Sequence, residues 1–274
     1  MTVMHFEHDG RRLAADLADP LPIAVPLDFG GPQPGFYDAA PATSRALRSA
    51  GFVGDTREGG SCNCEQVTLV AHCNGTHTEC LGHLTDDRIS VAETLRGGMH
   101  LALLLSVQPV AAEACDESSD PVPAPGDLLI TAAALERGAT AHAGLAPQAL
   151  VIRTLPNSVE RMSHRYAGPA PAPFLSREAA AWLVERDIQH LVLDVPSADR
   201  AQDDGRLTAH RVFFGLPPGG RRASESSRPR TTITELAFIA PTIRDGWYLL
   251  DLQIPPFLSD AAPSRPLLYP VRFG

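Results

Sequence analysis

The chain has 274 residues, enough to bury a sizeable core in one large or two small domains. It is 44% apolar and 20% charged, as globular proteins are, and its formal net charge of −9 argues against nucleic acid or an anionic membrane as a general partner. No run approaches the roughly 18 apolar residues that cross a bilayer, and MTVMHFEHDGRR lacks the apolar core of a signal peptide. Five cysteines are an odd number for a disulfide framework, so the expected compartment is the reducing cytoplasm.

Residues 12–60 carry too much Pro and Gly for long helices and read as strands and irregular loops, with Phe29, Phe36 and Tyr37 assigned to packing in preference to a pocket wall. Cys62-Asn63-Cys64 lacks the second pair that would complete a zinc ribbon. Alternating strand positions would make both thiols small buried hydrophobes near the site. EQVTLVA, residues 65–71, is rich in β-branched and apolar residues and predicts a strand. It runs into AHCNGTHTECLGHL, residues 71–84, which gathers His72, His77, Glu79 and His83, with Cys73 and Cys80 between them, around an Asn74-Gly75 turn. His77 and Glu79 are two apart and share a face of an extended segment; His83 regains that face if the chain stays extended. Imidazoles with a carboxylate suit Zn, Mn or Fe better than Ca or Mg. The spacing is not the i, i+4 pair of helical metalloproteases, which points to a strand-and-loop metal site.

Beyond His83, residues 88–96 predict a short helical turn and Leu101–Val107 an apolar strand. GDLLITAAALERGA reads as a helical stretch or a strand, and Ala149–Thr154 as a buried strand. Residues 157–173 are loop-like, in the manner of a lid. Ser176 predicts the N-cap of a helix running through Ala179, Trp182 and Leu183; its exit at Asp187 leads to the buried strand HLVLDV. His210 and Glu235 sit in apolar surroundings, where an unpaired charge is costly. GLPPGGRRASESSRPRT, about residues 216–231, reads as a mobile loop whose arginines keep it solvated in preference to recognising an acidic substrate. GWYLLDLQIPPF is a further strand, before a proline-rich tail ending in LLYPVRF. No linker clearly divides the chain, so 1–274 is taken as one domain.

The stretch Gly75-Thr76-His77, Glu79 and His83 resembles the signature H-x-G-T-H-x-D-x-P-x-H of the putative cyclase superfamily, which includes bacterial kynurenine formamidase and isatin hydrolase. Three positions depart from it. Glu79 stands for Asp, Leu81 for Pro, and the leading histidine is displaced by one residue. An ungapped alignment puts Cys73 in the leading place. A one-residue insertion at Asn74 restores His72, which is preferred because Asn-Gly is where a chain absorbs an extra residue. Asp194-Val195-Pro196-Ser197-Ala198-Asp199 resembles the family's second segment, D-T-P-S-x-D, so that Asp194 and Asp199 either buttress a histidine or metal or simply cap a loop.

The resemblance implies a mixed α/β fold, a swivelling β/β/α domain, assembled as a homodimer or homotetramer. It implies one metal on His72, His77 and Glu79 and a second on Glu79, His210 and Glu235, with Cys73 the alternative to His72. The expected ions are Zn2+, one or two, with Mn2+ as the other choice. Two ions about 3.5–4 Å apart share and acidify a water and polarise a carbonyl oxygen, and His83 is left to act as general acid/base. The expected activity is hydrolysis of a small-molecule amide, formamide or lactam, as in arylformamidases. The rivals are lactone hydrolysis, dehydration or cyclisation on the same scaffold, or a non-catalytic binder that keeps a degenerate site. No G-x-S-x-G elbow supports a serine hydrolase.

Overall fold

In the computed structural model, which describes residues 2–167 and 172–274, the chain is built on one large mixed sheet. Its strands are β1 (Val3–His8), β2 (Arg11–Asp16), β3 (Leu21–Pro22), β4 (His77–Cys80), β5 (Met99–Val107), β6 (Ala149–Thr154), β7 (His190–Leu193), β8 (Thr232–Glu235), β9 (Gly246–Asp251), β10 (Ala261–Pro263) and β11 (Leu267–Phe273). The spatial order is β1-β2-β11-β9-β5-β6-β7-β8-β4-β10, with β3 added beside β11. Strands β5 to β8 run parallel, and every pairing outside them is antiparallel.

The parallel strands are near-continuous apolar runs because both faces are covered. On one face, Leu103, Leu105, Leu150, Ile152, Leu191, Leu193 and Ile233 pack under helices α2 (Ala132–Thr140), α3 (Arg177–Glu185) and α4 (Thr208–Phe214). On the other, Ala102, Leu104, Val151, Val192, Leu250 and Leu268 pack against Ile23, Ile239 and Ile243. Helix α1 (Val91–Thr94) is one short turn, started by the Ser90 side chain. The caps are those that helix termini need: Ser176 Oγ accepts from Ala179 N at 2.9 Å, and Thr131 Oγ1 accepts from Ala134 N at 3.1 Å. GDLLITAAALERGA resolves into a strand, Leu128–Ile130, followed by α2.

Three expectations are corrected. Cys62 is exposed and Cys64 half-exposed, so neither is a buried filler; both precede a short strand, Glu65–Thr68, that pairs only with Thr43–Ala46 at the surface. Residues 216–231 lack regular structure but are not a free loop. Arg228 donates to the carbonyls of Phe213 (2.9 Å) and Ile188 (2.7 Å), tying the segment to α4 and to the entry of β7. Within 157–173, Val159–Ser163 form a 3-10 turn and Arg165–Tyr166 pair with Gly35–Phe36, while residues 168–171 of the expected lid lie outside the described residues. The opening residues, read only for their lack of an apolar core, form the β1–β2 hairpin over Asp9-Gly10, both with positive φ. All five cysteines are free thiols, and among the described residues no helix is long and apolar enough to cross a membrane.

Candidate metal centre

Strand β4 lies between β8 and β10, and its alternation turns His77 and Glu79 to one face, as expected. Glu235, the last residue of β8, pairs directly opposite His77, so its carboxylate joins the same face; Oε2 lies 3.4 Å from His77 Nε2. Helix α4, packed on that face, lowers His210 onto the pair, with Nε2 2.7 Å from Glu79 Oε1 and 3.5 Å from Glu235 Oε1. All four side chains are buried: His77 is 0% exposed, Glu79 1%, His210 2% and Glu235 4%.

His72 arrives from the turn before β4. Asn74 builds that turn, accepting from Val70 N (2.7 Å) and donating to Ala40 O (3.0 Å), and Gly75 closes it at φ 87, in the left-handed region that favours glycine. His72 Nδ1 lies 2.9 Å from Glu79 Oε2. It is His72, not Cys73, that shares a cluster with His77 and Glu79. His83 reaches the cluster by another route than expected. The chain does not stay extended after Cys80 but folds into a 3-10 turn, Leu81–Leu84, placing His83 Nε2 3.9 Å from Glu79 Oε2. Gly82 permits the turn: a Cβ there would stand 1.9 Å from the Ile89 carbonyl oxygen.

Each of three histidines has one ring nitrogen engaged on an outer acceptor and the other turned on the glutamates. His77 Nδ1 lies 3.1 Å from the Gly75 carbonyl, His210 Nδ1 2.6 Å from Asp199 Oδ2, and His72 Nε2 2.8 Å from Asp260 Oδ2. Such contacts orient each ring and, when it is the neutral imidazole, leave the lone pair on the inner nitrogen. Asp199 also accepts from the backbone N–H of Ala209 (2.7 Å) and His210 (3.1 Å), so one carboxylate caps α4 and aims its histidine. Asp194 does not buttress a histidine; it accepts from Thr154 and pairs with Arg161 at 2.9 Å.

The electrostatics are those of buried acids and bases in close contact. Burial works against the Glu79 carboxylate, but the neighbouring imidazoles of His83, His210 and His72 outweigh it and hold the group well below the usual range. Burial likewise opposes charge on His210, yet Glu79 and Asp199 raise it well above an ordinary histidine. For His72 the same opposition, overcome by Asp260 and Glu79, ends at about 10. Two buried atoms are left without a hydrogen bond: His77 Nε2, and Glu79 Oε1, which is close to His210 Nε2 but not aligned with it. A buried polar atom without a partner is costly. Imidazole nitrogens and carboxylate oxygens converging in this way, with two of the atoms unsatisfied, are a donor set that suits a metal ion.

Asp260 was not singled out in the sequence. It precedes β10, and its Oδ2 meets both His72 Nε2 (2.8 Å) and His83 Nδ1 (3.3 Å). Nothing local in LSDAAP marks it, because the contact spans 188 residues. Tyr37 also departs from the packing assigned to it. Phe36 is buried with its ring centroid 4.1 Å from that of Tyr37, but Tyr37 is 51% exposed, and its phenol, raised first by burial, feels the charges of Asp203, Glu235 and His210.

Residues 13–200 match the family described as "Putative cyclase". The chain belongs to that family. No curated protein matches it in sequence. Among solved structures it resembles isatin hydrolase A from Labrenzia aggregata bound to benzyl benzoate, at 14% identity and TM-score 0.62, covering 92% of this chain and 93% of that one. It also resembles isatin hydrolase A from Ralstonia solanacearum, at 13% identity and TM-score 0.57, covering 92% and 91%. A third, described as a predicted metal-dependent hydrolase from Bacillus stearothermophilus, has 15% identity and TM-score 0.56, with coverage of 92% and 98%. At these identities the likeness is one of fold: the mixed sheet with few helices is the fold of the cyclase family.

Proposed function

We propose that this cyclase-family protein is a metal-dependent hydrolase of a small amide, formamide or lactam, in the manner of arylformamidases. The observation that carries the reading is the inward set of buried donors, above all His77 Nε2, which has no partner of its own. His72, His77 and Glu79, which converge within one cluster, would hold one cation; Glu79, His210 and Glu235, whose carboxylates lie 2.7 and 3.5 Å from His210 Nε2, would hold a second, with zinc first and manganese the alternative. A cation bound there supplies an acidified water and polarisation of the scissile carbonyl.

The remaining steps belong to the chain itself. His83 is partly exposed at the mouth, with Nδ1 against Asp260 and Nε2 free to carry a proton. It takes that proton as the water attacks and hands it to the leaving nitrogen. The buried floor of His77, Glu79, His210 and Glu235 excludes bulk water, while Tyr37 offers an aromatic edge to a planar substrate at the opening. The proposed protein acts in the cytoplasm as a homodimer or homotetramer, on a small molecule and on neither nucleic acid nor membrane.

Elemental analysis of the purified protein, joined to assays on formyl-anilines, lactams and lactones, tests this reading. Expected are one or two zinc or manganese ions per chain, lost in His77→Ala. His83→Ala should keep its metal and lose about 10²–10⁴-fold in kcat. A protein that stays metal-free at physiological zinc and manganese, or a His83→Ala variant of undiminished rate, would overturn it.

A further inference from the structure

The parallel strands carry a second pair of histidines at their other end. Glu235 closes β8 at its C-terminal end, whereas His100 and His190 lie at the N-terminal ends of β5 and β7 with ring centroids 3.9 Å apart. His190 is 4% exposed, and its Nδ1 lies 2.9 Å from Thr232 Oγ1. His100 Nε2 is buried and has no hydrogen-bond partner. The two rings line a cleft of about 350 Å3 together with Glu93, Arg96, Gln189 and Arg230. Both guanidinium groups are exposed, and among the described residues neither stands within 4.0 Å of a carboxylate. Arg96 touches only the Glu93 carbonyl, at 3.4 Å, and the Glu93 carboxylate accepts from Ser90 Oγ at 2.8 Å.

Three ligand classes can be weighed against this arrangement. A metal cation would face two guanidinium groups and, among the cleft-lining side chains, a single carboxylate already engaged with Ser90. A neutral apolar ligand would leave the arginines unanswered and His100 Nε2 still without a partner. An oxyanion answers the arginines, accepting a forked pair of N–H groups from a guanidinium, and lies against the His100 ring where that ring lines the cleft. Burial, and next the neighbouring His100, push His190 down to about 3, and burial lowers His100 as well, with Asp251 opposing it. Each ring is thus a neutral imidazole with one N–H to give. The size of the cleft falls at the lower end of small-ligand pockets, about 300–1,000 Å3.

We propose that this cleft binds a small oxyanion, the carboxylate or phosphate group of a metabolite, between the His100 imidazole and the guanidinium groups of Arg96 and Arg230. Calorimetric titration of the full chain with inorganic phosphate and with acetate, each against chloride at matched ionic strength, tests it. Expected is saturable binding of at least one of them, and which one binds tells phosphate from carboxylate. Binding should weaken at least about ten-fold in the double variant Arg96→Ala/Arg230→Ala, whose side chains are exposed and spare the fold, and likewise in His100→Leu. It should persist after dialysis against a chelator, which separates it from any anion held at the His/Glu centre. No saturation, a chloride response of equal size, an affinity unchanged in the arginine variant, or loss of binding on chelation would each overturn the site.

Discussion

One oxygen of Asp260 holds two histidines, and one carboxylate of Asp199 holds a histidine and a helix terminus. Both aspartates contact the histidine rings and so orient the nitrogens that face the glutamates. Asp260→Asn and Asp199→Asn should each lower metal affinity about 10–100-fold, read by competition with a chelating dye. An Asp260→Asn protein of unchanged affinity whose pH–rate profile alone shifts would confine that residue to His83. The two aspartates also mark how far sequence reasoning reaches. Asp199 is legible because it closes a local pattern, Asp194 to Asp199, and precedes His210 by eleven positions. Asp260 belongs to no pattern and is found only when β10 is laid beside β4.

At the scale of elements, the legible pieces were those whose burial is uniform. ALVIRT and HLVL are buried along their whole length, and the Ser176-capped helix shows its cap and its apolar side in the letters themselves. The β1–β2 hairpin is hard to see in the letters although Asp-Gly is a strong turn signal, because its alternation is shallow and mostly half-exposed. The turn carrying His83 escapes strand parity for a different reason. Parity along a strand predicts a face only while the strand lasts, and β4 ends at Cys80. In the segment Val159–Ser163, Arg161 donates to Asp194, which is itself 2% exposed and pushed by burial up to about 6. Arg161→Leu should therefore cost about 3 kcal/mol at pH 7.5, where Asp194 is ionised, and less at pH 5, where it can take a proton. Urea denaturation at the two pH values measures both; equal costs would mean that the pair does not set the charge of Asp194.

Across the whole molecule, the sheet separates two histidine clusters with opposite protonation habits. His72 and His210 are raised by carboxylates, whereas His190 is lowered to about 3 by burial and by His100. A depressed histidine stabilises the fold fully above its unfolded value, near 6.5, and loses that contribution as pH falls toward 3, because the unfolded chain takes up the proton first. The groups facing it are His100, Glu93, Arg96 and Arg230, with Asp251 beyond His100. Relative to His190→Gln, the wild type should lose up to about 1.4 kcal/mol per pH unit below 6.5, seen in urea midpoints at pH 7, 6 and 5. A constant difference between the two proteins would show that His190 is protonated in the fold.

The pairing of β4 with β8 places Glu235 opposite His77 and Thr234 opposite Thr78, whose hydroxyls meet at 2.7 Å on the reverse side. Sliding one strand past the other by a single residue would exchange those sides, sending the glutamate into the threonine layer. An ion held by His77, Glu79 and Glu235 would act as a peg through a seam, and the amides of Thr78 and Thr234 should then exchange with deuterium faster once it is withdrawn.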